Sequence, residues 1–274
     1  MRKHGKVVKT GFSVLDEKLQ GLQGSDLIIL AGHRSVGKTA LALSIVRNVT
    51  LREDRAPVVA IFSLKVNRNA LMARLIASEA GVNLNDVRRG FIRREQWTNL
   101  TNAAERFTAA PLYIDDSSVV TVAAIRSRTR RLAGELRASR KRLGLLIIDS
   151  LQLIADPRPL KPGAPVKGVA EGAEIIRQLK SLASALDIPV IVLSSICGKI
   201  EGRRLQRPTI ADFNPAIAQH ADIVACIFRG GLRPPAVEGA AEKAHVIVVK
   251  NLRGKTGSVA LRYSRENSSF LPAA

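Results

Sequence analysis

Short apolar runs recur along this chain, and between them apolar residues return every three or four positions. Asp26-Leu27-Ile28-Ile29-Leu30-Ala31 reads as a buried strand, and Thr39 to about Val49 as the helix that follows it. Val58–Leu64, Leu112–Asp115, Leu145–Asp149 and Pro189–Ser194 read as four further strands. Ile223–Phe228, His245–Lys250 and Ser258–Tyr263 are later candidates, the last two joined by a glycine-containing turn. Val122, Ile125, Leu132 and Leu136 keep one face of a helix apolar, and Ile175, Leu179, Leu182, Ala183 and Leu186 do the same for another. Strands alternating with helices predict an α/β fold: a mostly parallel twisted sheet with helices on both faces and a C-terminal antiparallel hairpin. Two stretches break the pattern. Residues 155–170 carry Pro157, Pro159, Pro162 and Pro165 without periodicity, and 229–239 are similarly rich in glycine and proline. Loops of this length are functional or disordered.

The 274 residues suffice for one large α/β domain or two small ones, and 46% hydrophobic content excludes wholesale disorder. Charge changes the picture more. Lys and Arg number 43 against 23 Asp and Glu, a formal balance of +20, and such a field draws in polyanions. Nucleic acid is the first candidate partner and an anionic membrane surface the alternative. No apolar run approaches the ~18 residues of a spanning helix. The basic start Met1–Lys6 is not followed by the apolar stretch of a signal peptide, so a cytoplasmic location is expected. Aromatics at 4% argue against base-stacking platforms as the main binding device. Cys197 and Cys226 stand apart without a CxxC partner and are expected to be small buried hydrophobes, with no zinc site.

Gly32-His33-Arg34-Ser35-Val36-Gly37-Lys38-Thr39 matches the phosphate-binding pattern GxxxxGK[ST] in full. It follows a predicted strand and opens a predicted helix, the context that separates a working loop from a chance match. Glycines let successive backbone N–H groups face phosphate oxygens, and the helix adds its positive end. Gly32, Ser35, Gly37, Lys38 and Thr39 are thus the candidate ATP-binding residues, with Thr39 placed to ligate Mg²⁺. The magnesium shell also needs an acid at a strand tip. Asp149, closing Leu145–Ile148, fits through a water; Asp115-Asp116, at the end of a shorter and less apolar strand, is the competitor.

Further segments carry a resemblance. Thr10–Asp16 and Gly21–Ile29, Ile61–Leu64, Ala110–Asp116 and Leu146–Leu153 are similar to signatures of the C-terminal ATPase domain of the DnaB-type replicative helicases, over nearly the whole chain. The resemblance implies a RecA-like core, ATP bound between neighbouring subunits of a hexameric ring, replication-protein partners, and movement along single-stranded DNA. It begins within the first ~10 residues, so a single ATPase domain over 1–274 is expected, with 1–25 as lead-in and without the family's N-terminal helical domain.

Departures from the family pattern matter as much. Its catalytic glutamate after the second strand corresponds to Lys65, a residue type that is cationic at neutral pH unless strongly desolvated. The γ-phosphate-sensing glutamine after the fifth strand corresponds to Ser195. The lysine and arginine that reach a neighbouring subunit lie two apart in the family; here Lys250 and Arg253 lie three apart. The family's DNA-contacting segment is shortened to Asp212–Asp222. Loops at the end of the fifth strand face the channel of RecA-like rings, which makes Lys199, Arg203, Arg204 and Arg207 candidate nucleic-acid contacts. Arg126–Arg142 holds eight basic residues with Glu135 as its sole acid, a phosphate-binding face, a solvated face or a subunit contact, whereas Arg88-Arg89 and Arg93-Arg94 read as helix-surface charge.

The expected function is therefore an ATP-binding helicase or translocase domain on single-stranded DNA, RNA remaining open, with hydrolysis weakened at Lys65. The alternative is a catalytically weak paralogue acting as an ATP-gated nucleic-acid-binding or helicase-regulating module. A recombination or signalling ATPase on the same core is the third possibility.

Overall fold

All six residues of strand β1 (Leu27–Gly32) are buried, and a strand without a wet face needs cover on both sides. The computed structural model describes residues 7–51, 56–118, 120–155, 169–196, 207–229 and 241–273. β1 leads through the phosphate loop into α2 (Lys38–Leu51), and α1 (Ser13–Leu19) precedes it. Then follow β2 (Val58–Ser63), α3 (Arg68–Ala80), α4 (Leu84–Arg89), α5 (Arg94–Ala109) and β3 (Leu112–Asp115). The short β4 (Val120–Thr121) enters α6 (Val122–Ala138), β5 (Leu143–Asp149) and the short β6 (Ile154–Ala155). α7 (Val169–Leu186), β7 (Val190–Ser195), α8 (Pro215–His220) and β8 (Ile223–Phe228) come next, and β9 (Glu242–Asn251), β10 (Gly257–Ser264) and β11 (Ser269–Pro272) complete the order.

One sheet organises these elements in the order β11-β10-β9-β8-β1-β7-β5-β2-β3. From β8 to β3 every pairing is parallel, and from β8 to β11 every pairing is antiparallel. β4 and β6 form a small separate parallel pair. Alternation along β1 divides the interior: Ile28 and Leu30 join a cluster with α2, α3 and α5, while Leu27, Ile29 and Ala31 join one with α6, α7 and α8. α2 is buried from Ala40 to Thr50, which explains why it carries no polar face. Within α7, Leu179, Leu182 and Ala183 are buried as the stripe predicts, whereas Ile175 and Leu186 pack only partly. Leu179 alone, fully buried, contributes about 1.5–3 kcal/mol.

The predicted strands and the helix after β1 all form, so the α/β class, parallel core and antiparallel C-terminal end hold. Three differences have local reasons. The hairpin gains a third strand, β11, whose Ser-Phe-Leu-Pro lacks alternation and ends on a proline tolerated only at an edge. Three helices occupy 68–109, where the sequence marks only the helix-surface charge of Arg88-Arg89 and Arg93-Arg94 and no apolar stripe; α5 buries only Leu100, Ala103 and Phe107 among sixteen residues. Thr129, fully buried in the α6 stripe, satisfies its hydroxyl by donating to the Ile125 carbonyl at 2.7 Å. Of the proline-rich loop, residues 156–168 lie outside the described residues, as do 230–240 and Cys197. Cys226 is buried in β8, and burial pushes its thiol up to about 12, the inert behaviour of a small hydrophobe.

Candidate functional site

The phosphate loop hangs from the C-terminal end of β1, where the sheet direction and the start of α2 meet. Ser35 at φ +61° and Gly37 at φ +105° bend the backbone through the left-handed region. A Cβ on Gly37 would stand 3.0 Å from Phe270 Cε2, and one on Gly32 only 2.7 Å from Val36 Cγ1, so both positions need glycine for space, and Gly37 for conformation as well. Behind α2, the Phe270 amide donates to Ser44 Oγ at 2.9 Å, which seats β11 against the loop. The Lys38 ammonium donates to the Gly32 and His33 carbonyls, each at 2.8 Å. Burial pulls its pKa below the ordinary lysine value; Asp149 opposes that, while Lys65 and Arg34 add to it.

Thr39 Oγ1 donates to Asp149 Oδ2 at 2.7 Å, so the loop and the tip of β5 meet through two side chains of metal-ligand type. Asp115, the competing acid, is engaged elsewhere. Arg128 donates to its two oxygens at 3.1 and 2.8 Å, and the Ser117 amide at 3.1 Å. Burial pushes the Asp115 carboxyl up, but these hydrogen bonds outweigh it and hold it below the usual value. Arg128 is thereby removed from the free basic face of α6, and Arg131 pairs with Glu135 at 3.6 Å.

Position 65 lies just past the tip of β2. Ser63 is in register with Asp149, and the Leu64 amide donates to the Asp149 carbonyl at 2.7 Å, which leaves Lys65 exposed beside the phosphate loop. Ser195 closes β7 in register with Gly32. Its amide donates to Gln152 Oε1 at 3.3 Å, and Gln152 Nε2 donates to Ser194 Oγ at 3.0 Å. A glutamine amide therefore reaches the position where sequence comparison finds serine, supplied from the end of β5 instead of β7.

Four residues, Arg229, Tyr263, Arg265 and Arg74, join the site without any motif to announce them. Arg229, just past the end of β8, donates to the Ser35 carbonyl at 2.8 Å and pairs with Glu242 at 3.3 Å. Its guanidinium lies 4.4 Å from the centre of the Tyr263 ring, and Tyr263 packs on Phe270 with centroids 5.1 Å apart. Arg265 also pairs with Glu242. Arg74 is half-buried on α3; burial lowers its pKa, Arg88 adds to this, and Asp149 and Tyr263 oppose it, which puts its charge in the field of the site. The one available signal is an arginine beside the buried Leu71–Leu75 face of α3.

Lys250 and Arg253 are carried elsewhere. β9 runs antiparallel to β8, so its end lies where β8 and β1 begin, at the sheet edge opposite the phosphate loop. Lys250 donates to the Ala218 and Ala221 carbonyls at 2.7 and 2.6 Å, and burial lowers its pKa. Arg253 pairs with the fully buried Asp26 at 2.8 Å. Neither meets the phosphate loop of its own chain. Leu252, two beyond Lys250, is 65% exposed. Arg207 is exposed ahead of α8, while Lys199, Arg203 and Arg204 lie outside the described residues.

Among the described residues no helix is long and apolar enough to cross a membrane. Residues 7–272 match the family model of the DnaB-like helicase C-terminal domain. The chain is 36% identical over 266 residues to the replicative DNA helicase DnaC of Bacillus subtilis, and 37% identical over 266 residues to the replicative DNA helicase DnaB of Geobacillus stearothermophilus. Each alignment covers 96% of this chain and 56% of the relative, so the chain spans little more than half the length of these relatives. Among solved structures, one described as an ATPase domain superposes with a TM-score of 0.86 at 28% identity, covering 100% of this chain and 93% of the other. A DnaB-like replicative helicase, studied with its primase interactions, also gives a TM-score of 0.86, at 27% identity, over 99% of this chain and 63% of that one. On sequence and fold together, this chain belongs to the DnaB-like helicase C-terminal domain family.

Proposed function

We propose that this chain binds ATP with Mg²⁺ at Gly32–Thr39 and acts on single-stranded DNA as one subunit of a ring, hexameric as in the family pattern, with slowed hydrolysis. The observation that carries the reading is the 2.7 Å contact between Thr39 and Asp149 beneath the Lys38 ammonium. The donor set fits the nucleotide: a hydroxyl and a carboxylate for a hard cation, an ammonium and turned backbone amides for phosphate oxygens. When bound, Mg²⁺ neutralises part of the triphosphate charge and draws electron density from the γ-phosphorus. Thr39 would hold the ion directly and Asp149 through water, while Lys38 would exchange the Gly32 and His33 carbonyls for phosphate oxygens. Ser35 and Gly37 contribute amides, and the buried Arg229, held between Tyr263 and Glu242, anchors the Ser35 carbonyl and so the shape of the loop.

Lys65 supports the slowed step. An ammonium has no lone pair with which to take a proton from the attacking water, so the general-base contribution of about 10²–10⁴-fold is missing. Arg253 is held by Asp26 and position 252 is a leucine, so Lys250 is the candidate for contact with a neighbouring subunit's nucleotide, and it would first have to leave the Ala218 and Ala221 carbonyls. Arg207 and the basic segment before it are the proposed DNA contacts. A Lys38→Ala variant should lose ATP binding by calorimetry while keeping its fold; undiminished affinity would overturn the nucleotide reading. The second reading, an ATP-gated regulator of a helicase with little turnover of its own, is favoured by the same Lys65. Phosphate release with and without a single-stranded oligonucleotide separates the two, since DNA-stimulated turnover belongs only to the first.

A further inference from the structure

Strand β7 outruns one of its neighbours at the end beside the phosphate loop. Its pairing with β1 continues to Ser195, opposite Gly32, whereas its pairing with β5 stops at Leu193, opposite Asp149. Ser194 is buried and Ser195 half-buried, so the backbone groups left over on the β5 side need partners. Gln152 supplies them. Its Oε1 accepts from the Ser195 amide at 3.3 Å, and its Nε2 donates to Ser194 Oγ at 3.0 Å and to the Ser195 carbonyl at 3.4 Å. A side-chain amide offers an acceptor and two donors, so Gln152 stands in for the peptide group that a longer β5 would have presented.

On its other side the same tip is bonded to the phosphate loop. The Ile196 amide donates to the Gly32 carbonyl at 3.3 Å, and the Lys38 ammonium donates to that same oxygen at 2.8 Å. Two donors on one oxygen weaken each other, since both draw on the same electron density, and here the bond from the strand is the longer. An ammonium that moves to a phosphate oxygen leaves the Gly32 carbonyl to Ile196. Beyond Ile196 the chain enters the basic sequence with Lys199, Arg203, Arg204 and Arg207. A change at the Ile196 amide reaches that sequence only if the strand end does not fray, and the grip on Ser195 from the β5 side prevents fraying.

We propose that Gln152 is a positioning residue that keeps the Ser194–Ile196 tip in the sheet, so that phosphate binding at Lys38 is passed through the Gly32 carbonyl and the Ile196 amide to the basic segment. The route uses no side chain at position 195. It rests on the nucleotide and nucleic-acid readings above and adds how one site acts on the other. A firmer anchor at Ile196 lowers the entropy lost when the following segment orders on a strand, so ATP should tighten oligonucleotide binding. A glutamine that only tied two strand ends together would act equally with and without ATP.

Amide exchange of the full chain is compared with and without ATP and Mg²⁺ at Ile196 and at Asp222, whose amide donates to the Leu27 carbonyl at the opposite end of β1. A bound ligand slows both by stabilising the fold as a whole, and Ile196 should slow by a further roughly two- to tenfold. The anisotropy of an end-labelled oligothymidylate gives its affinity in both states, and binding about fivefold or more tighter with ATP is expected. Gln152→Met, similar in volume but without the amide, should abolish that ratio and the extra protection at Ile196. Gln152→Glu, which keeps an acceptor for the Ser195 amide, should preserve most of both. Equal slowing at Ile196 and Asp222 with ATP bound overturns the proposal, and so does oligothymidylate binding that ATP leaves unchanged. A Gln152→Met chain with the ratio intact overturns it too; should that variant fold poorly, exchange at Ile196 in the unaltered chain still decides. Extra protection at Ile196 in a chain that binds no oligothymidylate supports the relay and sinks the nucleic-acid reading alone. Absence of ATP binding, judged separately by calorimetry, sinks the nucleotide reading and the relay together.

Discussion

Lys65→Glu should raise ATP turnover and weaken ATP binding together, and both sizes follow from where residue 65 stands. Its strand is paired with the one bearing Asp149, and the side chain is exposed beside the phosphate loop. A carboxylate there can accept the proton of an attacking water, a contribution of about 10²–10⁴-fold. The absence of an arginine two beyond Lys250 withholds a further factor of about 10³–10⁵, so the single change recovers only part of the rate. A gain of about tenfold or more is expected, increased again by Leu252→Arg. For binding, the substitution changes the local charge by two units opposite a magnesium-bound triphosphate of about −2. At a separation of about 8 Å each unit pair is worth ~0.5 kcal/mol in water, and physiological salt reduces this to ~0.2 kcal/mol. The sum is ~0.8 kcal/mol, or roughly fourfold weaker affinity. Steady-state phosphate release at saturating ATP gives the first quantity, and titration with a fluorescent ATP analogue the second. Weaker binding with unchanged turnover, alone and in the Leu252→Arg background, would refute the reasoning, because the attacking water would then not be deprotonated at position 65. Rapid hydrolysis by the unaltered chain would refute it equally.

Arg253→Ala tests the pair at the opposite sheet edge. Burial raises the Asp26 carboxyl above the usual carboxylate range, and Arg253 opposes that rise. A raised folded value stabilises the fold most while the group is protonated, and this is lost as pH climbs through that value. Removing Arg253 raises it further, so the variant should lose on the order of 1–3 kcal/mol at about pH 8, discounted for the half-exposed arginine, and less at about pH 5. Urea midpoints at both pH values measure this, and equal losses would contradict it. Tyr263→Ala should weaken ATP and inorganic triphosphate alike in competition binding, because the ring backs Gly37 and holds Arg229 against the Ser35 carbonyl; loss of ATP affinity with triphosphate untouched would show that the ring takes the base and does not support the loop.

Legibility followed the range of the contacts. Gly32–Thr39 and Asp149 could be read because each carries its chemistry in adjacent residues at the end of an apolar run. The β1, β2, β5 and β7 runs were clear because strands buried on both faces leave no polar interruption. Arg229, Tyr263 and Arg74 were hidden because they reach the loop through pairings of β8–β10 and packing of α3, with no local pattern. Lys250 and Arg253 matched by type, but only the antiparallel course of β9 shows that Asp26 and the α8 carbonyls hold them. Gln152 was in plain view within Ser150-Leu151-Gln152, yet its reach to Ser195 depends on the β5–β7 pairing.

Phe270 fills the space behind Gly37 and ties β11 to α2, although it follows the loop it braces by more than two hundred positions. During synthesis the GxxxxGKT segment leaves the ribosome long before this backing does. A nascent chain that stops short of β11 should therefore hold no nucleotide, and a stop codon ahead of position 270 should cripple a pocket whose own residues are all present.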